Sequence, residues 1–144
     1  MDRLFPYNFA MSLERFLQAQ EKGGSYERAL TELKAGRKKG CWIWWVFPQL
    51  KRPDVSECST YYGLDDDAEA RAYIGHPILG PRYLECVRAV HGHLCQGGVA
   101  PLVLMGSEVD ILKLGSSLEL FLKVAPKGEA VFRSQAEEIL TVLG

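Results

Sequence analysis

A chain of 144 residues that is 47% hydrophobic and 24% charged predicts one domain of ordinary size and excludes an intrinsically disordered protein. Its 17 basic and 18 acidic residues leave a formal net charge of -1, so no overall field favours nucleic acid or an anionic membrane surface. The longest apolar run, residues 41–47, is far shorter than the ~20 residues that cross a bilayer.

The start of the chain and the cysteines favour a cytoplasmic protein. Residues 1–10 are charged and contain a proline, which is not the pattern of a signal peptide. The four cysteines, at positions 41, 58, 86 and 95, form no C-x-x-C pair. We therefore interpret them as reduced thiols and not as a disulfide framework. A single helical domain is expected over residues 1–144, with no cofactor and no metal.

Apolar residues recur at helical spacing through most of the chain, and glycine or proline separates the segments. The predicted helices begin near Ser12, Ser25, Asp66, Pro77, Val99, Ser107 and Phe132, and the first six end before Gly23, Gly36, Gly75, Gly97, Gly106 and Pro126. Residues 41–47 fit either a strand or a helix, because both alternating sets of side chains are apolar. Helix is favoured since a lone strand would have no sheet partner. The predicted fold class is all-α, a multihelical bundle of about seven short helices.

Residues 36–49, which we call the basic-aromatic run, are the most distinctive segment. Arg37 and Lys38 lie at the predicted end of a helix, where their donors can hold phosphate or carboxylate groups. Trp42 and Trp45 follow, and an indole face can stack on a nucleobase with a gain of about 1–3 kcal/mol. A competing interpretation is that the cations only complement the helix dipole and that the tryptophans pack in the core.

Other constellations are weaker. The spacing His91-x-His93-x-Cys95 offers zinc-ligand residue types, but residues two apart on a helix point in different directions, so no metal site is predicted. Ser116 and Ser117 near Lys113 resemble a serine–lysine nucleophile. Close helix packing is the favoured interpretation of that glycine- and serine-containing segment.

Residues 37–50, RKKGCWIWWVFPQL, resemble the signature of the domain of unknown function 1810 family, some members of which carry an automatic calpastatin-like label. Further blocks resemble that family in the same order: RFLQAQ at 15–20, YGL at 62–64, ARAYI and HPILGPR within 70–82, and DILKLGSSLELF at 110–121. The resemblance implies an intracellular protein with a compact helical fold. It implies no activity, because the family has no established one.

The chain departs from the family pattern at several positions. It has Cys41 where the family usually has His, Trp45 where Phe is usual and Glu119 where Thr is usual, and its end after Phe132 is shorter. A histidine at position 41 would be an obvious general acid or base. Its replacement indicates that this position is not an indispensable proton carrier, unless the cysteine is a nucleophile activated by the neighbouring cations.

Residues 16–20, FLQAQ, also resemble a segment of the NADAR, or YbiA-like, helical proteins. Those proteins cleave N-glycosidic bonds in molecules related to ADP-ribose or the riboflavin pathway. The likeness is confined to this motif, and it implies N-glycoside chemistry as a functional hypothesis.

We therefore predict that the basic-aromatic run forms a pocket for an anionic, nucleotide-like small molecule such as ADP-ribose or a related N-glycoside. The predicted ligand-binding residues are Arg37, Lys38, Trp42, Trp45, Gln49, Arg82 and Lys113. If the protein is an enzyme, it is predicted to be an N-glycosidic-bond hydrolase or transferase with Asp110 as the catalytic carboxylate. The alternatives are a non-catalytic protein-interaction module that uses exposed Trp and Phe side chains, and single-stranded nucleic-acid binding. No membrane partner is predicted, and the oligomeric state is left open.

Overall fold

The computed structural model describes residues 9–52 and 57–144. The α-helices of these residues, numbered α1 to α9 in chain order, are Ala10–Glu21, Ser25–Ala35, Ile43–Val46, Glu57–Tyr62, Asp67–Ile74, Leu79–His91, Pro101–Met105, Glu108–Val124 and Ala130–Leu143. A 3-10 turn at Lys22–Gly24 and a π-helical turn at Gly92–Gln96 extend α1 and α6. Within the described ranges no strand forms, and the all-α prediction is confirmed. None of these helices combines the length and apolar character that a membrane span requires.

One helix is shorter than expected, and another was not predicted. The helix α3 is a single turn at Ile43–Val46, so the helical alternative favoured for residues 41–47 is confirmed for these four residues. It ends at Phe47, because the residue before a proline is disfavoured in the helical region and Phe47 has φ -122° and ψ 71°. The helix α4 at Glu57–Tyr62 was not predicted from the sequence. The predicted loop after Pro48 includes Lys51 and Arg52, and its continuation at Pro53 lies outside the described residues.

Side-chain caps fix two helix starts that the sequence predicts. The Asp66 carboxylate accepts a hydrogen bond of 2.9 Å from the backbone N–H of Glu69, which starts α5. The Ser107 hydroxyl accepts one of 3.1 Å from the backbone N–H of Asp110, which starts α8. Each such cap stabilises a helix by about 1 kcal/mol. The second cap matters for function because it orients the first turn of α8, where Asp110 lies.

The core is built around α6 and α8. The helix α6 packs against α2, α5 and α9, and α8 packs against α5, α7 and α9. Side chains connect the two helices, since the rings of Tyr83 on α6 and Phe121 on α8 lie 4.5 Å apart between centroids. The Tyr83 hydroxyl is 3.0 Å from the Ser117 hydroxyl, and burial raises the pKa of Tyr83. Ser117 is therefore a packing residue whose hydroxyl is used inside the core.

The turn between α5 and α6 requires glycine at position 80. A Cβ atom there would lie 2.2 Å from the carbonyl oxygen of Ile74, closer than any side chain tolerates. The same turn is closed by His76, whose Nδ1 accepts hydrogen bonds from the backbone N–H groups of Ile78 at 3.1 Å and Leu79 at 3.2 Å. The His76 ring is therefore occupied by the backbone of its own turn.

Candidate ligand-binding site

The first half of the basic-aromatic run is a loop folded around one carboxylate. Oε1 of Glu32, on α2, accepts hydrogen bonds from the backbone N–H groups of Lys39 at 2.8 Å and Gly40 at 2.9 Å, and from the indole N–H of Trp42 at 2.8 Å. Burial alone would raise the pKa of Glu32, but these hydrogen bonds and the Lys38 charge hold it below its ordinary value. Sequence reasoning missed Glu32 because its partners lie in the following loop.

The two tryptophans predicted to stack on a ligand are used by the fold. Trp42 is only 3% exposed and donates its indole N–H to Glu32. Trp45 is partly buried, donates its indole N–H to the Ser25 hydroxyl at 2.9 Å, and packs on the Tyr62 ring at 5.1 Å. The core-packing interpretation therefore applies to Trp42. Ligand stacking at these two positions stays a prediction.

Lys38 and Asp110, predicted from separate motifs, meet in the structure. The Lys38 ammonium lies 2.7 Å from the Asp110 carboxylate, 2.5 Å from the Gly40 carbonyl oxygen and 4.9 Å from the Trp42 ring centroid. The Lys38 side chain is 7% exposed, so its charge is already matched by protein groups. Arg37, by contrast, is exposed and forms no side-chain ion pair within the described ranges.

Lys113 and Trp44 form a second contact between the run and α8. The Lys113 ammonium lies 4.5 Å from the Trp44 ring centroid, within the range of a cation–π interaction. Partial burial lowers the pKa of Lys113, the charges of Arg52 and Lys38 lower it further, and Asp110 opposes them. Among the described residues no carboxylate lies within ion-pair distance of the Lys113 ammonium, and the charge of Asp110 is shared with Lys38, so an anion placed beside Lys113 would be stabilised.

An open cleft of about 480 Å³ lies along α8 and is bounded by Gln49. We call it the α8 cleft, and its lining consists of Gln49, Leu50, Arg52, Ser116, Glu119, Leu120 and Lys123. A gap the size of one water molecule, next to Trp44 and Lys113, is also lined by Gln49. Gln49 is thus the wall that the cleft shares with the Trp44–Lys113 contact.

Gln49 is the least satisfied polar side chain of this region. It is 8% exposed, and its Oε1 is buried with no hydrogen-bond partner among the described residues. Its backbone is held in place, because its carbonyl oxygen accepts a 2.9 Å hydrogen bond from the backbone N–H of Leu64 and the N–H of Lys51 donates to the Leu64 carbonyl at 2.7 Å. These bonds belong to an isolated parallel bridge between Leu50 and Leu64. The unpartnered oxygen therefore sits on a fixed wall.

Arg82 lies elsewhere. Its guanidinium donates to the Gln20 side-chain oxygen at 3.2 Å and to the Glu21 carboxylate at 2.5 Å, and it lies 4.8 Å from the Tyr26 ring centroid. These residues line a separate hollow of about 220 Å³ between α1, α2 and α6. The structure therefore does not bring Arg82 to the α8 cleft, and its role as a ligand-binding residue stays a prediction.

All four cysteines are free thiols, as expected for a reduced protein. Cys41, at the position where the family usually has His, is exposed, as is Cys58. Cys86 is buried, and burial raises its pKa to about 12, so it stays a neutral thiol. None of the three lines the α8 cleft.

These observations define an all-α domain that has a polar cleft along its longest helix. The chain matches the family described as protein of unknown function (DUF1810) over residues 10–141, and it belongs to that family. The crystal structure of the conserved hypothetical protein Rv1873 from Mycobacterium tuberculosis is similar, with a TM-score of 0.77 and 35% identity over 90% of this chain and 85% of that one. No curated protein matches the chain. The likeness to NADAR proteins stays a prediction.

Proposed function

We propose that the α8 cleft binds a small molecule that carries both hydrogen-bond donors and a negative charge, a description that a nucleotide-like molecule fits. The observation that carries this is the buried Gln49 Oε1, which lacks a partner among the described residues. A buried polar atom left unpaired costs about 1–3 kcal/mol, and such atoms are rare in native proteins. A ligand N–H or O–H group in the cleft would remove that cost once the Gln49 side chain rotates to present this oxygen.

The remaining lining sets the polarity of the ligand. Arg52 and Lys123 lie in the cleft and Lys113 lies behind its wall, so cations favour an anionic group such as phosphate. The carboxylate of Glu119 and the hydroxyl of Ser116 face the same space and offer further acceptors. A ligand that carries both amino or hydroxyl donors and a phosphate would therefore match this combination of acceptors and cations.

Lys123 is the less available of the cations, since it already pairs with Asp67 at 2.8 Å. Arg52 is exposed and Lys113 has no carboxylate within ion-pair distance in the described part of the chain. We therefore assign the anionic group of the ligand to the part of the cleft near Arg52, where the charge of Lys113 acts from behind the Gln49 wall. We assign the donor groups of the ligand to Gln49 and Glu119.

Asp110 bears on catalysis. Its carboxylate is paired with the Lys38 ammonium at 2.7 Å. A carboxylate beside a bound sugar can stabilise the positive charge that develops on the ring when a glycosidic bond breaks. Asp110 does not line the α8 cleft, so its role as the catalytic carboxylate of an N-glycosidic-bond enzyme stays a prediction. The unpartnered Gln49 oxygen supports the binding of a ligand and does not require that the ligand is cleaved.

The experiment is a titration of the chain with ADP-ribose, NAD and AMP, with adenosine and ribose as uncharged controls. Isothermal calorimetry measures the affinity, and tryptophan fluorescence reports on Trp44 beside the cleft wall. We expect the phosphate-bearing ligands to bind and the uncharged ones to bind more weakly. Gln49→Leu, which keeps the volume of the side chain, is expected to weaken binding about tenfold, the equivalent of about 1.4 kcal/mol.

Arg37→Ala is the matched control, because it removes a cation from the same run outside the cleft. Its affinity should equal that of the unaltered chain. The proposal is wrong if no ligand of the series gives heat or a fluorescence change at millimolar concentration, or if Gln49→Leu binds as well as Arg37→Ala does.

The protein-interaction alternative requires exposed aromatic anchors. Trp42 is buried, whereas Trp44 and Trp45 are partly buried. The large apolar side chains that are more than half exposed on α7 and α8 are Leu102, Val109 and Leu112.

The nucleic-acid alternative differs from small-molecule binding in its salt dependence. Binding to a nucleic-acid strand would appear as a steep loss of affinity for oligonucleotides when salt is raised, whereas a single phosphate contact gives a shallow salt dependence.

A further inference from the structure

A second polar cluster, separate from the α8 cleft, lies where α6 and α9 meet. A ring nitrogen of His91, the sulfur of Cys95 and a carboxylate oxygen of Glu138 all lie within 4.8 Å of one another. His91 is the last residue of α6, Cys95 lies in the π-helical turn that follows, and Glu138 is on α9. We call these three residues the α6–α9 cluster.

Local helical geometry explains the grouping. Residues four apart on a helix share a face, so His91 and Cys95 lie on the side of α9. His93, between them, points to α2 instead, where its Nε2 is 2.7 Å from the carbonyl oxygen of Lys34. The sequence expectation that His91 and His93 diverge is therefore correct. What the spacing could not reveal is that α9 brings Glu138 to replace the second histidine.

We propose that the α6–α9 cluster is a binding site for a transition-metal ion of the zinc class. Imidazole nitrogen, thiolate sulfur and carboxylate oxygen are the three kinds of zinc ligand in proteins. With bond lengths of about 2.0–2.3 Å, such atoms in a tetrahedral site lie roughly 3.3–3.8 Å apart. No pair of these atoms is more than 4.8 Å apart, so the wider pairs must close by about 1 Å at most, while the His91–Glu138 pair at 2.7 Å must open by roughly 0.6 Å. Side-chain rotation can make both changes.

The cluster combines a fixed ligand with an adjustable one. The His91 side chain is 11% exposed, whereas that of Glu138 is 57% exposed, so the carboxylate can rotate while the imidazole stays in place. In the structure Nε2 of His91 is 2.7 Å from Glu138, and the metal would take the place of that hydrogen bond. On binding, the Cys95 thiol loses its proton to solvent. Two anionic ligands and one neutral ligand then balance a divalent ion, and a fourth position is left for water.

A π-helical turn at this place is consistent with a ligand site, because such turns occur frequently at functional positions. The plain alternative is that the hydrogen bond between His91 and Glu138 only joins α6 to α9. Ser134 supports that bond by donating to the other Glu138 oxygen at 3.3 Å. The hydrogen bond makes no use of the Cys95 sulfur, so substitution of Cys95 distinguishes the two roles.

The test uses the full chain without a histidine tag, freed of metal by chelation and titrated with cobalt(II). We expect about one bound ion per chain, with the near-ultraviolet charge-transfer band of a thiolate–cobalt bond. Cys95→Ser should abolish that band, and Glu138→Gln should weaken binding at least tenfold. The exposed cysteines provide matched controls, so Cys41→Ser and Cys58→Ser should bind cobalt as the unaltered chain does.

Thermal unfolding with and without zinc supplies a second measurement. Zinc should raise the midpoint of the unaltered chain and of Cys58→Ser, and should leave that of Cys95→Ser unchanged. Glu138 is exposed, so Glu138→Gln tests the site even if a change at Cys95 harms folding. The proposal would be overturned if the unaltered chain gave no charge-transfer band. It would also be overturned if the band survived in Cys95→Ser or disappeared in Cys41→Ser.

Discussion

Two buried glutamines, Gln20 and Gln49, are 2% and 8% exposed and have opposite surroundings. The oxygen of Gln20 accepts from Arg82 at 3.2 Å, and its nitrogen donates to the Trp45 carbonyl at 2.7 Å and the Tyr73 hydroxyl at 3.1 Å. The oxygen of Gln49 has no partner in the described ranges. A buried amide with its partners in place holds helices together, whereas one that lacks a partner costs stability and is available to a ligand.

The largest expected effect is the loss of stability on Gln20→Leu. This substitution removes hydrogen bonds that join α1 to α6 and to the end of α3, and it leaves buried groups with fewer partners. We expect a decrease of about 2–3 kcal/mol in the free energy of unfolding, measured by urea denaturation. Gln18→Leu, at an exposed position on the same helix, is the control and should change stability by less than about 0.5 kcal/mol. Equal stability of the two variants would contradict the structural role of Gln20.

Glu32→Gln extends the comparison to an acceptor that is shared by three donors. The amide keeps an oxygen for these donors but loses the negative charge, so we expect a loss of about 1–2 kcal/mol at neutral pH. Because the folded-state pKa of Glu32 lies below its ordinary value of 4.5, the carboxylate stabilises the fold above that pH and ceases to do so as pH falls through the folded pKa.

The difference in stability between Glu32→Gln and the unaltered chain should therefore narrow as the pH of the urea titration is lowered below about 4.5. The exposed Glu14, on α1, gives the control variant Glu14→Gln. Its stability is expected to stay close to that of the unaltered chain both at neutral pH and below about pH 4.5. A gap between Glu32→Gln and the unaltered chain that is constant with pH would show that the Glu32 charge does not hold the loop.

Gln49→Leu should behave oppositely to Gln20→Leu. It removes an unpartnered buried oxygen and keeps the apolar contacts of the side chain, so stability should stay level or rise by up to about 1 kcal/mol. Urea denaturation without ligand measures this, and calorimetry on the same preparation measures the loss of binding. A loss of stability as large as that of Gln20→Leu would mean that Gln49 is a structural residue like Gln20.

The smallest effect concerns the pH dependence of binding. Burial lowers the pKa of Lys113, so its charge is lost at a lower pH than that of an ordinary lysine. The affinity for a phosphate-bearing ligand should then fall roughly two- to fivefold as pH rises through that lowered pKa, as followed by calorimetry. Lys113→Arg keeps its charge throughout this range and should bind with constant affinity. If the affinity of Lys113→Arg fell with rising pH as much as that of the unaltered chain, the loss of charge on Lys113 would not be the cause.

Much of the fold could be predicted, because capping and periodicity are local signals. The starts of α5 at Asp66 and of α8 at Ser107 were predicted from the residues that cap them. The helix α4 could not be predicted, since its support is tertiary. Its last residue, Tyr62, packs on the rings of Phe16 at 5.9 Å and Trp45 at 5.1 Å.

The candidate site was predicted only in part. The run and the block beginning at Asp110 each supplied one member of the Lys38–Asp110 pair, but their meeting depends on how α8 packs. Gln49 was among the predicted ligand-binding residues, but the missing partner of its side-chain oxygen became visible only in the structure. Glu138 gave no local signal, because its partners lie on α6 and in the following turn.

The bridge between Leu50 and Leu64 has a kinetic consequence for the cleft. The backbone amide protons of Leu64 and Lys51 are held in hydrogen bonds to the opposite segment, so they exchange with deuterated solvent only when the wall that carries Gln49 detaches. A ligand that bridges this wall and α8 would lower the frequency of that detachment. Slower deuterium uptake at these two amides would then measure occupancy of the cleft, whatever the chemical identity of the ligand.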